Sequence, residues 1–294
     1  MKMEVSVVVA AVLMAVTGMA QAKASASVEL TGLVISVQPI STKQGAATPY
    51  VRFTSGSDYL EIDSLTQYPS SYQYSISSTP GFFSESTLST TPAYAGARAS
   101  IQGDPFSQTG GSISASSFAY GTAGQLSTAS AQTVVGDDSG YASFTLGPNT
   151  RLDVTAIYDV SAFVGGSSFA SFAGAYEAAS VTAGLTLLPD AGQLGHGSFD
   201  GFGHRVAHAG SYVDSPFFDQ GELRVSYVGS ASRQTHGLFM ASVDVSTVSN
   251  VPIPEPSNVA LLLAGLSMLA LSGRRKASAS VPGMALASRD ARGD

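Results

Sequence analysis

The chain has 294 residues, 44% hydrophobic and 12% charged, and its 14 Lys and Arg against 21 Asp and Glu give a net charge of −7. Charge at half the usual ~25% excludes charge-driven disorder, and the acidic balance excludes a nucleic-acid partner, which wants a basic face. The absence of cysteine excludes thiol catalysis, cysteine zinc sites and iron–sulfur clusters, but not export, because disulfides matter most to domains too small to build a core.

At the N-terminus, Lys2 supplies a cationic start beside Glu4, and Val5–Met19 is almost wholly apolar. Ala20-Gln21-Ala22 has the small-x-small form that signal peptidase accepts. An apolar run of about 15 residues is short of the ~20 that span a bilayer. Residues 1–22 therefore read as a signal peptide cleaved near Ala22 rather than a retained anchor, and the chain is expected to leave the cytoplasm by the Sec route. Ala22-Lys23-Ala24 is a second small-x-small site.

Residues 23–250 read as strands. Leu152, Val154, Ala156, Tyr158 and Val160 fall on one face, with Arg151, Asp153, Thr155 and Asp159 opposite. Val181–Leu187, Leu223–Tyr227 and Phe239–Val245 alternate in the same way. Turn-formers separate these runs: Gly136-Asp137-Asp138-Ser139-Gly140, Gly147-Pro148-Asn149-Thr150 and Val228-Gly229-Ser230. The pattern predicts one all-β ectodomain, an antiparallel, jelly-roll-like β-sandwich. Ser107–Ala131, rich in Ser, Ala and Gly with faint alternation, reads as edge strands or a mobile loop.

Chemistry-bearing residues are sparse. His196, Asp200, His204 and His208 recur every four residues, which on a helix would make a metal-binding face, but Gly195, Gly197, Gly201 and Gly203 oppose a helix at about 1 kcal/mol each. Pro189–Pro216 therefore reads as an exposed insertion. No metal or other cofactor is expected; were the loop to close on an ion, His196, His204 and His208 with Asp214 or Asp219 are the candidate ligands. Asp137-Asp138 reads as a solvated turn rather than a calcium loop. Nucleophile elbows and phosphate-binding glycine motifs are absent, so no catalytic residue is assigned. Tyr68, Tyr72 and Tyr74 share one face of an extended Tyr68–Ser78 and could stack on a sugar. The alternative is a tyrosine stripe lending area to a thin core.

At the C-terminus, Pro254-Glu255-Pro256 is a stiff spacer, Val259–Leu271 an apolar helix capped near Ser257 or Asn258, and Arg274-Arg275-Lys276 a basic stop. About 13 helical residues make about 20 Å, thin for a bilayer, which snorkelling of the three cations would extend. The alternative is a helix buried in the ectodomain.

This tripartite tail, joined to a signal peptide, resembles the PEP-CTERM sorting signal of Gram-negative bacteria. The resemblance covers residues 251–276. It implies processing near Pro254, Glu255 and Pro256 by an exosortase-type enzyme, transient membrane contact through the helix, and stop-transfer by Arg274, Arg275 and Lys276. It also implies a cell-surface or extracellular destination among exopolysaccharide and biofilm. Phe144–Thr150 followed by a strand looks like the β-sandwich ectodomains often joined to such tails. One departure is the cytoplasmic tail 277–294, since the basic cluster usually ends the chain; its final Arg292-Gly293-Asp294 reads as coincidence. The expected function is a structural or adhesive matrix protein, the alternative a secreted polysaccharide hydrolase or lectin-like module.

Overall fold

The computed structural model describes residues 22–55, 57–67, 70–90, 94–121, 124–136, 141–165, 176–190, 197–208, 216–251 and Leu266. The chain divides into two compact units, Met1–Ile253 and Pro254–Asp294. In the second, only Leu266 is described, in helix.

The described residues of the first unit form β1 (Ala22–Pro39), β2 (Val51–Ser55), β3 (Ser57–Thr66), β4 (Ser71–Pro80), β5 (Ser86–Thr90), β6 (Ala95–Gly103) and β7 (Gly111–Gly121). Then come β8 (Gln125–Gly136), β9 (Ala142–Leu146), β10 (Thr150–Val164), β11 (Tyr176–Pro189), β12 (Ser198–His208), β13 (Phe217–Val228) and β14 (Thr235–Val251). They make an all-β antiparallel sandwich, as the alternation predicts. One sheet has six strands in the order β13-β10-β1-β7-β6-β5. The other has eight: β12-β11-β14-β8-β3-β4, with β9 paired to β14 and β2 paired to β9.

Alternation along each strand decides what lies between the sheets. β3 buries Asp58, Leu60, Ile62, Ser64 and Thr66 and turns Tyr59, Glu61 and Asp63 outward. In β1 the alternation would fail after Leu30, but the register shifts between Thr31 and Val34, where Gly32 has φ +56°. This bulge lets Leu30 and Leu33 both point inward. At one end Phe53, Phe82, Phe144 and Phe239 gather, Phe53 and Phe82 stacked at 4.0 Å. Gly237 lies opposite Phe144, and a Cβ there would come within 2.3 Å of the ring.

Two segments differ from the sequence expectation. Ser107–Ala131 contributes β7, between β1 and β6, and part of β8, between β14 and β3. Both are interior strands. Their inward residues include Ala115, Ser117, Ala129 and Ala131; such small side chains give little hydropathy contrast, yet let the sheets approach closely. Pro189–Pro216 is not wholly an insertion, because it contains the edge strand β12. Phe202 of β12 stacks on Tyr158 of β10 at 4.9 Å, joining the two sheets. β12 is also tied to β13: the Ser226 amide donates to Ser198 Oγ (2.8 Å) and the Arg224 amide to Asp200 Oδ2 (2.8 Å). Glycines that oppose a helix are tolerated in this edge strand.

The loop before β10 is held by Asn149, at φ +59°. Its Oδ1 accepts from the Ser41 amide (2.6 Å), and its Nδ2 donates to the carbonyls of Ser41 (3.0 Å) and Ala47 (3.2 Å). The turn read at Gly147–Thr150 thus also anchors the chain leaving β1.

Candidate functional site

Antiparallel register places directly opposed residues on one face, so the outer surface of the eight-stranded sheet can be read row by row. One row runs Ile76, Glu61, Gln132, Asp244 and Thr182 across β4, β3, β8, β14 and β11. The adjacent row runs Tyr74, Asp63, Ser130, Ser246 and Ser180. Tyr72 lies one row further along β4, opposite Leu65. Three carboxylates and a tyrosine pair therefore share one surface near the β4 edge.

Tyr72 and Tyr74 are 61% and 48% exposed, and their rings lie 5° from parallel with centroids 6.5 Å apart. Tyr72 and Tyr74 are not core. Alternation along β4 and its edge position leave both rings free on one side. Tyr59, the outward residue two before Glu61, donates its hydroxyl to Glu61 Oε2 at 2.6 Å.

Two of the three carboxylates are perturbed. Burial, followed by the nearby charge of Glu61, holds the Asp63 and Asp244 carboxyls above their ordinary value. Tyr74 is also raised, first by desolvation and then by its hydrogen bond to Glu61 and that residue's charge. Asp63 Oδ1 is buried and accepts no hydrogen bond among the described residues. Two flat rings thus border a carboxylate group in which one oxygen, Asp63 Oδ1, has no donor among the described residues.

A shallow depression, about 670 Å³, lies on the outer face of the six-stranded sheet and is lined by Ser25, Ser27, Ser116 and Ser161 with Arg98 and Phe118. The Ser27 and Ser161 hydroxyls bond each other at 2.7 Å. Among the described residues no carboxylate lines this depression.

Of the sugar-stacking residues expected from sequence, Tyr72 and Tyr74 come together, and Tyr68 lies outside the described residues. Among the histidines, His196 lies outside them too, and His204 and His208 sit on β12 opposite Val181 and Glu177. Four residues of extended strand span about 13 Å, so the spacing that clusters ligands on a helix separates them here. Asp219 accepts from Tyr158 (3.0 Å), and Asp214 is outside the described residues. No group of three or more His, Asp or Glu that could hold a metal occurs among the described residues. His236 shares a hydrogen bond with Thr145 (3.0 Å). Asp137 and Asp138, Ala20, and the tail residues Pro254, Glu255, Pro256, Arg274, Arg275 and Lys276 also lie outside the described residues; Ala22 begins β1.

Sequence reasoning missed Glu61, Asp63 and Asp244. The period-two series Tyr59, Glu61, Asp63 was a signal for the first two. Asp244 needed the β8–β14 register. No family model, no curated protein and no solved structure matches this chain.

Proposed function

We propose that the protein is exported from a Gram-negative bacterium, sorted through a PEP-CTERM tail by an exosortase-type enzyme, and acts as a structural or adhesive component of an exopolysaccharide matrix. The observation that carries the adhesive reading is the exposed, near-parallel Tyr72–Tyr74 pair beside Glu61 and Asp63. Sugar rings present C–H faces that stack on aromatics and hydroxyls that donate to carboxylates. The acidic acceptors and the net charge of −7 favour neutral polymers over uronic-acid-rich ones, which would be repelled.

The sorting half rests on Pro254-Glu255-Pro256, the apolar run and the Arg274–Lys276 cluster. Deletion of Pro254–Asp294, which removes the whole second unit, should release the ectodomain from the cell envelope or mislocalise it, read by fractionation. Unchanged localisation would overturn this half.

A second reading, a polysaccharide hydrolase, is supported by one feature. Glu61 and Asp244 lie in one row two strands apart, about 9.6 Å between backbones, close to the upper end of the ~6.5–9.5 Å between carboxyl groups of an inverting glycosidase. Release of reducing ends from a bound polymer, abolished by Asp244→Asn with binding retained, would favour it over the adhesive reading.

A further inference from the structure

We propose that cleavage of the Ala22–Lys23 bond creates an α-ammonium on Lys23 that pairs with the Glu177 carboxylate and fastens the two sheets of the exported domain together. The inference rests on reading residues 1–22 as a signal peptide, and adds what the new terminus does.

Glu177 sits on β11 in the eight-stranded sheet, 3% exposed, and its Oε1 accepts a hydrogen bond from the backbone nitrogen of Lys23 at 3.0 Å. Lys23 belongs to β1 in the six-stranded sheet, so the contact crosses the sandwich. The Lys23 carbonyl accepts from the Gly165 amide at 2.7 Å, just beyond the end of β10. Its Nζ lies 5.7 Å from the Tyr120 ring centroid and 5.8 Å from that of Phe163. The Lys23 nitrogen is therefore held in place by its own residue's other contacts.

In the precursor that nitrogen is a neutral amide. Hydrolysis by a signal peptidase adds water across the Ala22–Lys23 bond. The C–N bond breaks, the water oxygen joins Ala22, which leaves as a carboxylate, and both water protons pass to the Lys23 nitrogen, which is an ammonium at neutral pH. A single-donor amide thus becomes a cation with three donors, 3.0 Å from a buried carboxylate. A charge-assisted bond is roughly twice as strong as a neutral one, and a buried carboxylate is far better tolerated beside a cation.

The other small-x-small site would not do this. Cutting after Ala24 removes Lys23 and also Ala24, which is fully buried and pairs with Ala119 on β7 and Val164 on β10. Cutting after Ala20 leaves the ammonium two residues, about 6.6 Å of strand, from the Lys23 nitrogen. Only the cut after Ala22 sets the charge opposite Glu177. The processed domain is then more stable than its precursor.

The test uses the full-length protein exported by its own cells. Mass spectrometry fixes the N-terminus, and the rate of α-amine acetylation by acetic anhydride at neutral pH is compared in the native protein and in urea. An ammonium held by a carboxylate gives up its proton less readily, so less of the reactive free amine is present at neutral pH. The expected result is a Lys23 terminus whose α-amine reacts at least about tenfold more slowly in the native state, with protection lost in Glu177→Gln. One alanine inserted between Ala22 and Lys23 keeps Glu177 but displaces the ammonium, so it should lose protection and lower the Tm even if Glu177→Gln does not fold. A Lys23 terminus labelled equally fast in both states, or protection that survives both changes, overturns the inference. A terminus at Gln21 or Ser25 also overturns it, leaving export intact, whereas a chain that keeps Met1 overturns the export reading itself.

Discussion

On the six-stranded sheet the outward side chains of β1, β7 and β10 include Ser27, Ser116 and Ser161 in one row, and hydroxyl bonds hydroxyl at 2.7 Å. On the eight-stranded sheet the corresponding outward positions near the β4 edge hold Tyr59, Glu61, Asp63, Tyr72 and Tyr74. Both inward faces are mainly apolar, with Tyr227 buried on the six-stranded sheet and Phe144 and Phe239 on the eight-stranded one. Serines that satisfy one another make a finished surface. Carboxyls whose proton affinity is raised by burial and by the neighbouring Glu61 charge, beside rings open on one side, make a surface that improves when something donates to it. Candidate function is thus located by what the outward residues lack.

The comparison can be sharpened first within one strand. Asp58 shares β3 with Glu61 and Asp63 but points inward and is fully buried. Desolvation pushes its carboxyl up to about 6, against hydrogen bonds from the Ser84 and Phe83 amides that lower it. A raised folded value means that the folded state binds this proton more tightly. The stability it contributes is fully present below the unfolded value of 3.8 and is lost as pH rises through about 6. The loss is at most about 3 kcal/mol. Urea unfolding between pH 4 and 7 should show Asp58→Asn gaining on the parent protein as pH rises. A difference independent of pH would break the inward–outward contrast.

The next largest effect compares the two outer faces directly. Tyr72→Ala with Tyr74→Ala should weaken retention on a neutral polysaccharide roughly tenfold to thirtyfold, at about 1 kcal/mol per ring. Ser27→Ala with Ser161→Ala should leave retention unchanged and stability within about 0.5 kcal/mol, because removing both partners of a hydrogen bond is nearly neutral. Affinity chromatography reads both. Equal losses from the two pairs would erase the distinction between the faces.

The smallest expected effect lies inside the carboxylate group. Glu61→Gln removes the charge that helps to raise Asp63 and Asp244. Both carboxyls should then titrate lower by carbon-detected NMR, with a stability gain below about 1 kcal/mol. Unmoved titrations would mean that burial alone perturbs them and that the three acids do not act as a group.

Much of this could be read before the fold was known. The alternation at Leu152–Val160, Val181–Leu187, Leu223–Tyr227 and Phe239–Val245 became β10, β11, β13 and β14, because the core-facing residues of each strand are apolar and those opposite are mostly small or polar. What stayed hidden was hidden for physical reasons. β7 and β8 bury alanine and serine, whose hydropathy barely contrasts with the outward serines, so interior strands resembled a loop. β12 carries glycines that argue against a helix but cannot announce an edge strand. The Tyr72–Tyr74 half of the site follows from period-two geometry alone. The Glu61–Asp244 half depends on which strand lies beside which, and local pattern does not encode that.

β14 runs 17 residues to Val251, paired along its length with β11 on one side and with β9 and then β8 on the other. It is the last strand before the proline-rich spacer. A pull on the C-terminal side of the domain would therefore enter through an interior strand and load two antiparallel ladders lengthwise, so that many backbone hydrogen bonds must shear together. Had the chain left through β4 or β12, the same pull could peel bonds one at a time. The order of strands thus gives the domain a mechanically resistant handle where a tether would act.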